Sequence, residues 1–287
     1  MKLPLRFSGI PGVLMYLLGF VGIIAILYAL VVGLRLIPPE HLRMAAGSKG
    51  SAYYQIAKQY QSILAKDGIR LDIVETAGSQ DNRNLMDDPK SGLDIALIQG
   101  GITSSNTKLN AIAAVFPEPL LAFARLDASL EGNPYSWIGK RVALGAEGSG
   151  TRAVVKQLAT LTGAPILLTR ADDPDSFMGG KAASQALLNG RLDLAFFVAP
   201  LTAPYLQDLY DSNAIQLLPI DHGRAIASQL PEAHYVDLFS GALRYQPPYP
   251  LEAVPLVALV TKLVARDDLH PALVNRLVHV IKTVHGK

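Results

Sequence analysis

The apolar residues of the first forty positions form one long segment. Residues 7–34 are 28 consecutive residues without a charge, and Arg6 and Arg35 bound them. As a helix they would rise about 42 Å, which exceeds the ~30 Å hydrocarbon core of a bilayer. A cleavable signal peptide has an apolar core of only about 7–15 residues and a cleavage site between small residues, and neither feature fits here. The pattern predicts an uncleaved helix through the lipid bilayer, followed by a stiff spacer at Pro38–Pro39.

Beyond residue 41 the apolar pattern alternates between the period of a strand and the period of a helix. The predicted strands cover residues 44–46, 69–73, 95–98, 142–144, 194–198 and 254–260. The predicted helices cover residues 53–64, 84–86, 151–161 and 182–188. Strands and helices in alternation are typical of an α/β fold, so the sequence predicts an α/β body behind an N-terminal membrane helix.

One sequence pattern occurs twice in the body. The pattern Gly-x-Asp-Ile-Ala-Leu at residues 92–97 is echoed by Gly-x-x-Asp-Leu-Ala-Phe at residues 190–196. Each copy of the pattern follows a Gly/Ser-rich loop at a similar distance along the chain, which indicates two similar lobes. The alternative is that a glycine turn before a buried strand is common in α/β proteins and reflects no duplication.

Composition and charge narrow the possible functions. The chain has 287 residues, a formal net charge of +2 and no cysteine. Residues 1–43 hold four basic residues and one acidic residue, which leaves 22 basic and 23 acidic side chains for the rest. We therefore expect no nucleic-acid partner. The absence of cysteine excludes disulfides, thiolate ligands, cysteine nucleophiles and an N-terminal lipidated cysteine.

Two Gly/Ser loops are the candidate site. Residues 48–51 and 148–151 each lie between the end of a predicted strand and the start of a predicted helix. Such loops expose unpaired N–H groups at the positive end of the helix dipole, which is a setting for anions. Neither loop has the P-loop or dinucleotide glycine pattern, so a nucleotide phosphate is not favoured. Arg152 adds a cation beside the second loop, and Tyr54 is a better cleft candidate than Tyr53, which shares an apolar stripe with Tyr60.

Other motifs carry no recognised chemistry. No Ser/His/Asp nucleophile elbow is present, and we expect no enzyme activity, metal or other cofactor. Ser105 and Lys108 lack the further motifs of penicillin-recognising enzymes, and Asp172, Asp173 and Asp175 lack the spacing of an EF-hand. The six histidines do not fall at metal-ligand spacings: His41, His222, His234, His270, His279 and His285.

Taken together, the motifs resemble the TAXI-type solute-binding subunits of TRAP transporters. The matching stretches are Ala46–Tyr54, Thr76–Ser79 with Asn82 and Asn84–Leu85, Asp94–Gln99, Pro117–Leu120, Gly139–Val142, Glu147–Arg152, Asp193–Phe197 and Asp268–Leu273. They extend over nearly the whole body, and their order is more specific than any one of them. The resemblance implies a two-lobed receptor with the type II periplasmic-binding-protein fold.

The resemblance also implies a ligand, a partner and a location. The ligand would be a small organic anion, such as glutamate, 2-oxoglutarate or another dicarboxylate, and the partner would be the membrane subunits of a TRAP permease. The body would lie outside the cytoplasmic membrane, held by a single membrane helix. The ligand-facing positions would be Ser48, Ser51, Tyr54, Gln99, Ser149, Gly150, Thr151 and Arg152. The membrane-anchored subgroup often continues with a second membrane segment, and the resemblance leaves open whether the C-terminus of this chain is shortened.

The resemblance further implies the division of the chain. Residues 1–41 would form the anchor and spacer, residues 42–125 and 246–287 the first lobe, and residues 126–245 the second lobe. Three alternatives differ in function. A pyrrole-precursor deaminase on this fold would need the cysteine that this chain lacks. A pyrimidine receptor for thiamine precursors would be expected to have aromatic walls, and a tethered sensor would pass its ligand state to a partner protein.

Overall fold

The computed structural model describes residues 10–33, 36–102, 108–164 and 173–286, with side chains from Leu14 onward. The first helix, α1, spans Ile10–Gly33. Within it, Leu14–Gly33 is 20 residues long, and it is the one helix in the described ranges that is long and apolar enough to cross a membrane. An uncleaved anchor and a signal sequence both satisfy this test. The predicted span of 7–34 agrees with α1, and its ends at residues 7–9 and 34 lie outside the described residues.

In the described ranges of the body there are nine strands and seven further α-helices. The strands are β1 His41–Ala45, β2 Arg70–Val74, β3 Ile95–Ile98, β4 Leu109–Arg125, β5 Val142–Ala143, β6 Leu194–Val198, β7 Ile215–Leu218, β8 His234–Leu238 and β9 Val254–Arg266. The helices are α2 Ala52–Lys66, α3 Ser79–Asp87, α4 Gly150–Thr162, α5 Gly180–Leu188, α6 Pro204–Asp211, α7 Gly223–Gln229 and α8 Pro271–His285. This is a mixed α/β fold, as the apolar pattern predicted, and it matches the type II periplasmic-binding-protein fold that the resemblance implied.

Two sheets share the long strand β4. In the first sheet the order is β2-β1-β3-β9-β4, with β1 parallel to its neighbours β2 and β3. In the second sheet β4 pairs with β6 and β7, and β5 lies parallel to β6. The strands β3 and β6 each have one parallel and one antiparallel neighbour, and both are buried along their whole length, which explains their uninterrupted apolar sequence. Both match their predicted bounds.

The chain passes between the two lobes inside a strand. β4 pairs with β9 as far as Pro119 and with β6 from Leu120 onward. The sequence did not reveal β4, which is 17 residues long. The crossing lies six residues before the proposed boundary after residue 125. The return occurs within β9, since Leu259 packs in the second lobe and Leu263 in the first.

Each sheet is covered by helices on both faces. In the first lobe α2 and α8 pack on one face and α3 on the other. In the second lobe α4 and α7 pack on one face and α5 and α6 on the other. Two three-layer sandwiches result, joined by the antiparallel pair β4 and β9.

Candidate functional site

A cavity of about 320 Å³ lies between the two lobes. Both predicted loops contribute to its wall, so they face each other across the same space. Six of the eight predicted site residues line the cavity: Ser48, Ser51, Gln99, Ser149, Gly150 and Thr151. Tyr54 and Arg152 are not among the lining residues.

In the part of the chain that the structure describes, five helices have their N-terminal turns at this cavity. The lining includes Ala52 at the start of α2, Ser79 of α3, Gly150 of α4, Gly180 of α5 and Tyr205 of α6. The N-terminal end of a helix carries a partial positive charge and unpaired N–H groups. Helix ends gathered around one space therefore produce a positive potential, even though most of the lining side chains are uncharged.

The two Gly/Ser loops begin their helices with the same capping geometry. Ser51 caps α2 by accepting a hydrogen bond of 3.2 Å from the N–H of Tyr54. Ser149 caps α4 by accepting one of 3.2 Å from the N–H of Arg152. Both serines have extended backbones, with φ near −80°. In each helix the first and second N–H groups have no acceptor among the described residues, and these groups lie at the cavity wall.

The same geometry explains why Tyr54 and Arg152 lie away from the cavity. Both are third residues of their helices, where the N–H is satisfied by the capping serine and the side chain is rotated away from the helix end. Tyr54 packs at the edge of the hydrophobic core of the first lobe, and the Lys58 ammonium group lies 6.0 Å from the centre of the Tyr54 ring. Its neighbour Tyr53, the second residue of α2, lines the cavity instead.

Arg152 is held inside the second lobe. Its side chain is 3% exposed, and Nη1 donates hydrogen bonds to the carbonyl oxygens of Gly145 at 3.1 Å and Ser176 at 3.0 Å. Its guanidinium group lies 4.0 Å from the centre of the Phe177 ring, and its Nε lies 2.9 Å from a carboxylate oxygen of Glu147. Arg152 thus joins the 145–149 loop to residues 176–177.

Gln99 places a buried amide at the junction of the lobes. Its side chain is 2% exposed, and its Nε2 has no hydrogen-bond partner among the described residues. A β-carbon on Gly150 would lie only 2.3 Å from Gln99 Oε1, so the amide packs directly against the start of α4. A buried donor without an acceptor is costly, and a bound ligand oxygen would supply the missing partner.

A buried polar network holds the first loop in position. Thr76 accepts a hydrogen bond of 2.8 Å from the N–H of Gly47 and donates one to Asn82, whose Nδ2 donates to the Leu97 carbonyl oxygen at 2.8 Å. Thr76 and Asn82 are both buried. They fix the 47–51 loop relative to the end of β3, where Gln99 follows.

Sequence analysis missed two charged residues of the cavity wall. Lys181, the second residue of α5, lines the cavity but is largely exposed. Glu118 of β4 is 2% exposed, and burial raises the pKa of its carboxyl group to about 7, although hydrogen bonds from Thr261 and Tyr53 partly oppose the shift. The resemblance included Glu118 in a motif, but nothing local indicated that it faces the ligand space.

The remaining candidate motifs lie elsewhere. Ser105 and Asp172 are outside the described residues. Within the described ranges, no group of three or more histidine, cysteine, aspartate or glutamate residues could hold a metal ion. Asp173 instead caps the short helical turn Pro174–Phe177, and Asp175 pairs with Arg191.

The two-lobed α/β fold and the cavity between its lobes define a protein of the periplasmic-binding-protein type. The chain belongs to the NMT1-like family, whose model matches residues 44–283. The matched region is nearly the whole body and does not include α1.

Solved structures support the fold. A protein of Bordetella bronchiseptica RB50 is 16% identical, with a TM-score of 0.53 over 85% of this chain and 70% of that one. The alkanesulfonate-binding protein SsuA of Xanthomonas axonopodis pv. citri, bound to MOPS, is 14% identical, with a TM-score of 0.50 over 86% of this chain and 73% of that one. The effector-binding domain of a BenM variant is 10% identical, with a TM-score of 0.51 over 86% and 95% of the two chains.

Proposed function

We propose that this protein is an extracytoplasmic solute-binding receptor that captures a small organic anion between its two lobes. The observation that carries the proposal is the convergence of five helix N-termini on one cavity. Unpaired N–H groups at helix ends bind anionic oxygens well, because they are already oriented and need no counter-ion. The cavity is large enough for a small metabolite and too small for a peptide.

The N–H groups of Gly150 and Thr151, with the Gln99 amide beside them, would hold one carboxylate. Ser48 and Ser51 would bind the ligand from the first lobe. Arg152 would act indirectly, by holding the 145–149 loop in position. A ligand that contacts both lobes binds the closed state better than the open one and so favours closure.

The membrane helix suggests how the receptor is located. An uncleaved α1 would tether the body to the outer side of the cytoplasmic membrane as a single-pass protein. Delivery of the ligand to a TRAP-type permease is our proposal for the partner, and it rests on the resemblance of the motifs to TAXI-type subunits. A tethered sensor would use the same body and anchor, and co-purification of the full chain with permease subunits would distinguish transport from sensing.

The NMT1-like family suggests a second ligand class, because it includes pyrimidine-binding as well as SsuA-like proteins. A neutral ring would be expected to lie between aromatic walls. Tyr53 and Tyr205 are the aromatic residues in the described wall, which otherwise consists mainly of glycine, alanine and serine. This composition favours the anion. A thiamine-precursor pyrimidine belongs in the same binding screen.

The proposal is tested with the full chain in detergent micelles. Native mass spectrometry would identify any retained small molecule, and calorimetry would measure binding of carboxylates, sulfonates, amino acids and the pyrimidine. The best acid would then be compared with its primary amide, which has the same shape without the charge. We expect amidation to weaken binding at least tenfold. Equal affinity for acid and amide, or binding of the pyrimidine alone, would refute the anion proposal.

A further inference from the structure

Glu118 places a buried carboxyl group in the wall of the cavity. It lies on β4, two residues before the strand passes into the second lobe. The Tyr53 hydroxyl donates a hydrogen bond of 2.7 Å to Glu118 Oε2, and the Thr261 hydroxyl donates to the same oxygen. The other oxygen, Oε1, accepts no hydrogen bond from a described residue, so it is the atom available to a ligand.

The groups around Glu118 provide no counter-charge. The elements packed against it contribute Tyr53 from α2, Thr261 from β9 and Tyr205 from α6. Burial raises the pKa of both tyrosines, so they stay neutral. Lys181 lines the same cavity from α5, but among the described residues it forms no ion pair with Glu118. A buried carboxylate without a cation is unfavourable, and a cationic ligand group would relieve that cost.

We propose that Glu118 receives a protonated amino group of the ligand at Oε1, so that the ligand is a zwitterionic amino acid rather than a simple carboxylate. The cavity would then bind the two charges of the ligand in different places. The carboxylate would lie at the N-termini of the helices, where Gly150 and Thr151 have free N–H groups, and the amino group would lie at β4. This inference rests on the proposed function, because it requires a carboxylate ligand between the lobes.

If Glu118 instead acted as a hydrogen-bond donor to the ligand, the pH dependence of binding would be reversed. A protonated Glu118 would donate a hydrogen bond to a ligand oxygen, and binding would then strengthen as the pH falls. With an amino group as the partner, binding needs the carboxylate form and must weaken as the pH falls. Ligand amino groups stay protonated through pH 6–8, so Glu118 is the group that titrates.

The test uses matched probes and calorimetry of the full chain in detergent micelles. The probes are L-glutamate, L-aspartate, L-alanine and L-leucine, each paired with its desamino acid: glutarate, succinate, propionate and 4-methylpentanoate. We expect the amino acid of the best-binding pair to bind at least tenfold tighter at pH 8. Its affinity should fall about tenfold between pH 8 and pH 6, in line with a Glu118 pKa of about 7.

Two variants complete the test. Glu118→Gln should remove both the amino-acid preference and the pH dependence. Glu75→Gln is the matched control, because Glu75 is an exposed carboxylate near the first loop that lies outside the cavity lining, and both properties should survive. The probe pairs on the unaltered chain are decisive even if Glu118→Gln fails to fold.

The experiment distinguishes failure of the proposed role of Glu118 from failure of the proposed function. Equal affinity for amino and desamino acids, or affinity that rises toward pH 6, would overturn the role of Glu118 and leave the anion receptor intact. No binding of any probe, together with no anion in the wider screen, would overturn the proposed function and this inference with it.

Discussion

The backbone N–H of Asp81 donates a hydrogen bond of 3.0 Å to the carbonyl oxygen of Gly148. This bond joins α3 of the first lobe to the Gly/Ser loop of the second, so the lobes touch at the mouth of the cavity. A β-carbon on Gly148 would lie 3.0 Å from the Ala77 side chain and 3.4 Å from that of Asp81. The two lobes are therefore in direct contact here, and glycine allows the close approach.

Gly148→Ala should shift the protein toward an open form. The added methyl group would press against Ala77 and weaken the contact between the lobes, so ligand affinity should fall about tenfold. Spin labels on Lys66→Cys and Lys156→Cys, one exposed position per lobe, would measure the opening in a chain that has no cysteine of its own.

Gly68→Ala is the control for backbone strain. Gly68 and Gly148 have φ values of +76° and +75°, but a β-carbon on Gly68 would meet no atom within 4 Å. Both variants carry the cost of a left-handed alanine, about 1 kcal/mol. If Gly68→Ala lowers affinity as much as Gly148→Ala does, the contact between the lobes is not the cause.

Gly150→Ala should lower ligand affinity with little loss of stability. Its methyl group would displace the end of the Gln99 side chain, which is flexible enough to turn into the cavity and occupy ligand space. Gly50→Ala is the matched control, since Gly50 also lines the cavity and its β-carbon would meet nothing within 4 Å. We expect an affinity loss of at least tenfold for the first variant and less than threefold for the second, measured by calorimetry. Equal effects of the two substitutions would argue against a role for Gln99.

Arg152→Ala should destabilise the second lobe. The substitution leaves the buried carbonyl oxygen of Gly145 without its donor, removes one of the two donors to the Ser176 carbonyl oxygen and removes the contact with Phe177, which together should cost about 2–3 kcal/mol. Trp137, the sole tryptophan, is fully buried in the same lobe and reports its unfolding by fluorescence. Arg224→Ala provides a control, because exposed Arg224 lies 4.6 Å from the Tyr235 ring and should contribute little. Loss of ligand affinity at unchanged stability would instead indicate a direct contact with the ligand.

Glu118 should make the folded state less stable as the pH rises. Its folded pKa of about 7 lies above the ordinary value of 4.5, so its contribution to stability is full below pH 4.5 and is lost as the pH rises through 7. Between pH 4.5 and pH 8 the unaltered chain should lose about 3 kcal/mol relative to Glu118→Gln. Scanning calorimetry of both chains across this range measures the difference.

For Glu232, the pH dependence of the free energy of unfolding should have the opposite sign, and Glu232→Gln should remove it. Lys262 lies 2.7 Å from the Glu232 carboxylate and holds its pKa below the ordinary value, so this pair stabilises the fold above the unfolded pKa and loses its effect as the pH falls. Parallel pH profiles for Glu118→Gln and Glu232→Gln would contradict the assignment of the Glu118 shift to burial.

Local sequence was enough to predict most elements. The buried strands β3 and β6 have the predicted bounds, because an uninterrupted apolar run bounded by polar and glycine residues is a signal contained within a few neighbours. The helix α4 starts one residue before its predicted start and ends at Thr162, with Gly163 in the left-handed conformation that closes it. The two Gly/Ser loops were located for the same reason, since capping is a local interaction.

Tertiary structure alone decided which side chains meet in the cavity. Tyr53, and not Tyr54, faces the ligand space, because the serine cap sets the rotation of the first turn and the opposite lobe closes over its second residue. Arg152 turns inward toward carbonyl oxygens contributed by residues 145 and 176, and Glu118 reaches the cavity only through the pairing of β4 with β9. These contacts join residues far apart in the chain, so the sequence by itself determined the elements and the loops, and long-range packing selected the residues that form the site.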